Sequence, residues 1–204
     1  VDAFGGDNAP LEIVKGAADA SIQFNTEITL TGKQSEIEQI ITENNLKFFG
    51  QLTIIDTDDV ISMHDDPTTI LKSHSSSSMA LAFKELCDGK ADAFVSAGST
   101  GAIVVGGTLM VKRIKGIKRP ALGGLIPSPN GHYMLMDMGA NAECRPEMLC
   151  QFGIMASAYL EGVEGKKNPE IGLLNIGTED TKGGELQKEA YRLMTEAQIN
   201  FVGN

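Results

Sequence analysis

Ala91-Asp92-Ala93-Phe94-Val95-Ser96-Ala97-Gly98-Ser99-Thr100-Gly101-Ala102 carries the pattern on which the fold of this chain turns. A run of strand character over Ala91–Ala97 gives way to small hydroxyl residues and glycines, and a helix is expected to open from Ala102. The same order recurs along the chain. Strand-type runs are read at Val1–Phe4, Glu27–Thr31, Leu52–Asp56, Ala121–Ile126, Tyr133–Met138, Ile171–Ile176 and Ile199–Val202. Helical periodicity lies between most of them. Ile37, Ile40 and Ile41 share one face after Lys33, a longer apolar stripe runs from Met148 to Val163 with Pro146 suited to its first turn, and Leu186, Ala190, Leu193 and Met194 make a third. Strands alternating with helices predict an α/β fold, a mostly parallel sheet with helices on both faces. One link differs. Pro127-Ser128-Pro129-Asn130-Gly131 is long enough only for a turn, so the runs it joins are expected to pair antiparallel, making the sheet mixed.

The bulk properties exclude several classes of function. Apolar residues make up 42% of the 204 and charged residues 22%, an ordinary globular balance. No window of about 18 apolar residues is present to span a bilayer, and Val1–Phe4 lacks the basic start of a secretory signal. The three cysteines, Cys87, Cys144 and Cys150, fit neither a disulfide framework nor a zinc pattern with the three histidines, so reduced thiols and a cytoplasmic protein without a metal are expected. A net charge of −10 argues against nucleic acid as a partner. Against that trend stands a basic cluster of Lys112, Arg113, Lys115, Lys118 and Arg119, which is either a solvated surface or a docking patch for an acidic partner or an anionic lipid surface. Ile199–Asn204 reads as a strand reaching its loop, so residues 1–204 are expected to be the N-terminal part of a larger α/β domain.

Ligands of parallel α/β sheets gather where strands end and helices begin, because unpaired backbone N–H groups point there. Four loops hold that position. In the first, Gly5 and Gly6 remove side chains beside Asp7 and Asn8, as either a tight turn or a ligand would require. The second, Ser96, Gly98, Ser99, Thr100 and Gly101, is an anion cradle or an N-cap, and is neither a Walker loop nor a dinucleotide fingerprint. The third runs from Asp137 to Glu143, where Asn141 offers an amide that can donate and accept, and where Asp137 and Glu143 read more naturally as loop ties. The fourth contains Thr178 and Lys182 between glycines at the start of a helix. The helix dipole disfavours a cation there unless an anion lies between them.

These loops, in this order, resemble the PlsX-type phosphate acyltransferases. The resemblance is carried by Asp-Ala-x-Gly-Gly-Asp-x-Ala-Pro at Asp2–Pro10, by Ser96-Ala97-Gly98-x-Thr100-Gly101-Ala102, and by Arg113-Ile114-Lys115-Gly116-Ile117-x-Arg119-Pro120-Ala121. Asp137-x-Gly139-Ala140-Asn141 and Leu174–Gly183 continue it. It implies a fold similar to phosphotransacetylases and isocitrate or isopropylmalate dehydrogenases. The activity it implies is transfer of a fatty acyl group from acyl-acyl-carrier-protein to inorganic phosphate, with no cofactor, giving acyl phosphate for phospholipid synthesis. It also implies a homodimer, and peripheral association with the inner face of the membrane and with the next acyltransferase of the pathway. On this reading Lys182 is the catalytic candidate, and Gly5, Gly6, Asp7, Ser96, Gly98, Ser99, Thr100, Gly101, Asn141 and Thr178 bind phosphate or substrate. The basic cluster Lys112–Arg119 docks the carrier. A phosphotransacetylase-like enzyme using acyl-coenzyme A and a non-catalytic carrier-binding scaffold are the alternatives.

Overall fold

The computed structural model describes residues 1–129 and 131–204; Asn130, read above as part of the hairpin turn, lies outside the described residues. The chain forms two compact units, Val1–Arg113 and Ile114–Asn204.

The first unit is built around a short parallel pair, β1 (Thr29–Gly32) and β2 (Thr53–Asp56), in the register Thr29 opposite Thr53 to Gly32 opposite Asp56. The first residues of the chain add a parallel bridge between Asp2 and Thr31. Strand alternation sends successive side chains of β1 to opposite faces. Leu30 is fully buried with Ala3, Val14, Ala17 and Ile37, so its face is covered by α1 (Leu11–Phe24) and α2 (Gln34–Glu43). Burying a side chain such as Leu30 or Ile37 is worth about 1.5–3 kcal/mol each. On the other face the Thr31 hydroxyl donates to the Ser78 carbonyl (2.8 Å), which begins α3 (Ser78–Cys87). The helices therefore cover both faces, as the sequence predicts. Helix α1 ends at Asn25 in the left-handed conformation (φ 50°), and its N–H donates to the Ser21 carbonyl.

A second cluster of the same unit joins Met79, Ala80 and Phe83 of α3 to Ile61, to Ile70 on the 3-10 turn Pro67–Leu71, and to Ala102 on α4 (Thr100–Gly106). Phe94 stacks on Phe83 with ring centroids 4.1 Å apart. A π-helical turn, Gly107–Val111, extends α4. The helix read as opening from Ala102 thus starts at Thr100.

In the second unit β3 (Gly123–Ser128) and β4 (Gly131–Met136) form the expected antiparallel hairpin. α5 (Pro146–Gly162) begins at the proline read as its first turn. With α6 (Glu185–Glu196) it packs on the parallel pair β5 (Glu170–Gly172) and β6 (Asn200–Gly203), around Leu173, Ala190 and Met194. No described helix is long and apolar enough to cross a membrane.

Three strand expectations are corrected. Val1–Phe4 makes the single bridge from Asp2 to Thr31 and no strand. Residues 91–97 form no ladder: the Asp2 N–H donates to the Val95 carbonyl (2.9 Å), and beyond it the Ser96 hydroxyl bonds Asp2 and accepts from Gly98 N–H. The run Ile171–Ile176 leaves its ladder after Gly172, with one more bond from Leu173 N–H to the Gly203 carbonyl. Asn175 then turns the chain, its Oδ1 accepting from Ile176 N–H and its amide donating to the Lys182 carbonyl.

Candidate active site

Within the first unit the structure brings two of the four loops into contact. Gly5 and Gly98 approach so closely that a Cβ built on Gly5 would stand 2.5 Å from Asp2 Oδ2, 2.6 Å from Ser96 Oγ and 2.9 Å from the Gly98 nitrogen. A Cβ on Gly6 would stand 3.1 Å from that of Ala97. The two glycines are there because the backbones must meet. Gly5 is buried and Gly6 half-buried, while Asp7 and Asn8 are exposed.

Beneath this contact lies Asp2, 1% exposed, which the sequence reading passed over in favour of Asp7. Its Oδ1 accepts from the Ser78 hydroxyl (2.6 Å) and from Phe4 N–H (3.3 Å), and its Oδ2 from the Ser96 hydroxyl (2.7 Å). Ser96 Oγ in turn accepts from Gly98 N–H (3.0 Å). A buried acid must be satisfied in this way. One sign was available in the sequence: an acidic residue in the strand-like run Val1-Asp2-Ala3-Phe4 needs donors from elsewhere in the chain.

The rest of the second loop is a helix start. Ser99, 6% exposed, is the N-cap of α4, its hydroxyl accepting from Ala102 N–H (3.4 Å). Ile103 N–H is bonded to the Ser99 carbonyl. The amides of Thr100 and Gly101 precede Ile103, the first residue whose N–H the helix ladder bonds, so that ladder cannot satisfy them. Thr100 is exposed and Gly101 half-buried. The loop can thus offer two backbone donors and the Thr100 hydroxyl to an anion.

The other two loops belong to the second unit. Asp137 is a tie: Leu122 N–H (2.7 Å), Ala140 N–H (3.3 Å), Asn141 N–H (2.8 Å) and the Asn141 amide (3.1 Å) all donate to it. Burial pushes its carboxyl upward, but the hydrogen bonds from Leu122, Asn141 and Ala140 outweigh that and hold it below the ordinary aspartate value. The Asn141 amide also donates to the Pro120 carbonyl (2.9 Å), so its carbonyl oxygen is the part left to meet a substrate. Lys182 lies 3.6 Å from Glu179 of its own loop, with 45% of its side chain exposed, and an anion there would compete with that carboxylate. Thr178 is exposed. Gly183 has φ +82° and packs against Asn175 and Gln187, and the Gln187 side chain accepts from Gly184 N–H as α6 begins.

The basic stretch straddles the boundary of the units, Lys112 and Arg113 ending the first and Lys115, Lys118 and Arg119 lying in the second. Lys118 is 3.8 Å from Glu147, and its backbone N–H donates to Gln151 (2.8 Å). Burial raises the Cys144 and Cys150 thiols, with the charge of Asp137 adding to the effect at Cys144, which makes either a poor nucleophile. Among the described residues no group of three His, Cys, Asp or Glu side chains could hold a metal ion. A shallow depression of about 390 Å³, lined by Ala18, Asp19, Ile22, Gln23 and Asn45–Lys47, opens at the far end of α1 from the glycine loops.

A sequence model of the family described as fatty acid synthesis protein matches residues 1–204. Proteins named phosphate acyltransferase from Bacillus thuringiensis (strain Al Hakam) and Bacillus licheniformis are each 44% identical over 206 residues. The alignments cover 100% of this chain and 61% of each relative, so the chain spans about three fifths of the length of those proteins. Among solved structures, EutD phosphotransacetylase from Staphylococcus aureus superposes with a TM-score of 0.67 at 16% identity, over 90% of this chain and 60% of that one. At that identity the likeness concerns the fold, and it is the α/β fold expected from the sequence.

Proposed function

The chain belongs to the fatty acid synthesis protein family, and from that membership we propose that it acts in a phosphate acyltransferase which moves a fatty acyl group from acyl-acyl-carrier-protein to inorganic phosphate. A phosphate oxygen attacks the thioester carbonyl carbon, a tetrahedral oxyanion forms, and the carbon–sulfur bond breaks. Acyl phosphate and the carrier thiol are the products. Phosphate is already a nucleophile and a thiolate a fair leaving group, so no covalent enzyme intermediate is needed. What the protein must supply is placement of a dianion and stabilisation of developing charge.

The observation that carries this reading is the meeting of Gly5 with Gly98 below the start of α4. It fixes the first loop against Gly98, two residues before Thr100, whose amide and hydroxyl together with the Gly101 amide suit phosphate. Within the second unit, Lys182 is proposed as the catalytic residue and Asn141 as a contact to substrate through its carbonyl oxygen. The carrier protein, a homodimeric state, a cytoplasmic location and peripheral membrane association belong to the same proposal.

The deciding experiment incubates the complete protein with phosphate and either acyl-carrier-protein or acyl-coenzyme A, and measures acyl phosphate. Formation from the carrier thioester supports the reading. The fold shared with EutD phosphotransacetylase favours a second one, in which acyl-coenzyme A is the better donor. No acyl phosphate from either donor, with carrier protein still bound, would leave a binding scaffold.

A further inference from the structure

We propose that Asp2 is a positioning residue for the Ser96–Gly101 loop, setting that loop's hydrogen-bond polarity so that it presents its remaining donors to phosphate. The proposal rests on the reading of this loop as a phosphate-binding element. A carboxylate accepts hydrogen bonds and donates none. The Ser96 hydroxyl, 2.7 Å from Asp2 Oδ2, must therefore spend its one hydrogen on Asp2, which leaves its lone pairs for Gly98 N–H at 3.0 Å. The chain Gly98 N–H to Ser96 to Asp2 has one direction only. It turns the Gly98 amide inward, so the donors remaining to the loop are those at the start of α4.

Asp2 reaches this place because it is tied on its other side as well. Ser78, at the start of α3, donates to Oδ1 at 2.6 Å, and both Asp2 and Ser78 are 1% exposed. Asp2 backbone N–H holds the Val95 carbonyl, one residue before Ser96. The carboxylate and the backbone of one residue thus hold consecutive positions of the loop.

Asp2→Asn tests the polarity without changing the shape. An amide presents one acceptor and one donor group, so either Ser96 or Ser78 meets an N–H where it met an oxygen. A Ser96 hydroxyl that must accept from the introduced amide has fewer lone pairs to offer Gly98 N–H. In the complete protein the Michaelis constant for phosphate should rise roughly tenfold or more, the loss expected when a hydrogen bond to a charged group is misdirected, while that for the acyl donor stays within about twofold. Ser96→Ala breaks the same chain at its middle and should act in the same direction. The double variant should cost no more than the worse single one, and if Asp2→Asn fails to fold, Ser96→Ala decides. Thr100→Val separates the two levels of the argument. If Thr100→Val weakens phosphate but Asp2→Asn and Ser96→Ala lower only the melting temperature, Asp2 is structural and the proposal is overturned. If none of the three moves the phosphate constant, the loop does not bind phosphate and the reading beneath the proposal fails with it.

Discussion

Gly5→Ala is the sharpest test of the loop contact. The Gly5 backbone lies outside the left-handed region, so alanine is conformationally allowed and any penalty is steric. The added methyl would meet Asp2 Oδ2 at 2.5 Å, Ser96 Oγ at 2.6 Å and the Gly98 nitrogen at 2.9 Å. None of these atoms is the loose end of a side chain: Asp2 and Ser96 hydrogen-bond each other, and the third atom is backbone. Overpacking of a tight interior costs about 1–3 kcal/mol, and displacing a buried hydrogen-bonded group about 1–3 kcal/mol more. A loss of about 2–6 kcal/mol is expected, a large share of a typical stability of about 5–15 kcal/mol. At a urea dependence of about 1–3 kcal/mol per molar, the unfolding midpoint followed by far-ultraviolet circular dichroism should fall by roughly 1 M or more. Hydrogen exchange should quicken first in residues 2–6 and 96–101. Gly16→Ala is the internal control. Gly16 is exposed within α1 with nothing within 4 Å of a new Cβ, so the same substitution should stabilise by about 0.5–1 kcal/mol. Opposite signs from one chemical change at two glycines of the same unit would be hard to attribute to anything but local space. A Gly5→Ala midpoint equal to or above wild type would refute the contact.

Three further outcomes are expected. Lys182→Ala should lose on the order of 10²–10³ in turnover if it acts as a single electrostatic donor, and near-normal rates with phosphate and carrier thioester both present would remove it from the mechanism. Reversing Lys115 and Arg119 to glutamate should raise the Michaelis constant for the carrier protein and spare that for phosphate; unchanged constants would make the patch ordinary surface. Asp137 is held below the ordinary aspartate value, so its contribution to stability is present above that value, about 3.9, and is lost as pH falls through its depressed folded value. Asp137→Asn should lower the melting temperature at neutral pH and flatten its decline in acid, whereas parallel curves for variant and wild type would contradict the tie.

The elements that local pattern controls were legible. The apolar stripe behind Pro146 became α5, and the short link after Ser128 became a hairpin. What pattern could not see was which strand-type runs would find a ladder partner. The run Ala91–Ala97 has the composition of a strand, yet it forms no ladder, and a serine near its end bonds to an aspartate 94 residues away. The run from Ile171 leaves its ladder after Gly172, and Asn175 then satisfies Ile176 N–H locally.

The candidate site shows the same division more sharply. Each glycine loop could be found from its own residues, because small side chains before a helix mark a place where backbone is exposed or closely approached. Which loops meet is a different kind of fact. Ser78 and Ser96 stand 76 and 94 residues from Asp2, and nothing periodic links such distances. The convergence follows instead from topology: the bridge from Asp2 to Thr31 puts the first loop at the end of β1, and the Asp2 N–H bond to the Val95 carbonyl brings the Ser96 loop beside it. Given that topology, the buried acid is nearly deducible. A carboxylate inside a strand-like run must collect donors, two hydroxyl-rich stretches lie at the helix starts beside it, and both provide one. The residue that organises the edge thus opens the Asp2–Pro10 motif, but its role is marked by a cost, and its donors could be named only once the fold had brought Ser78 and Ser96 beside it.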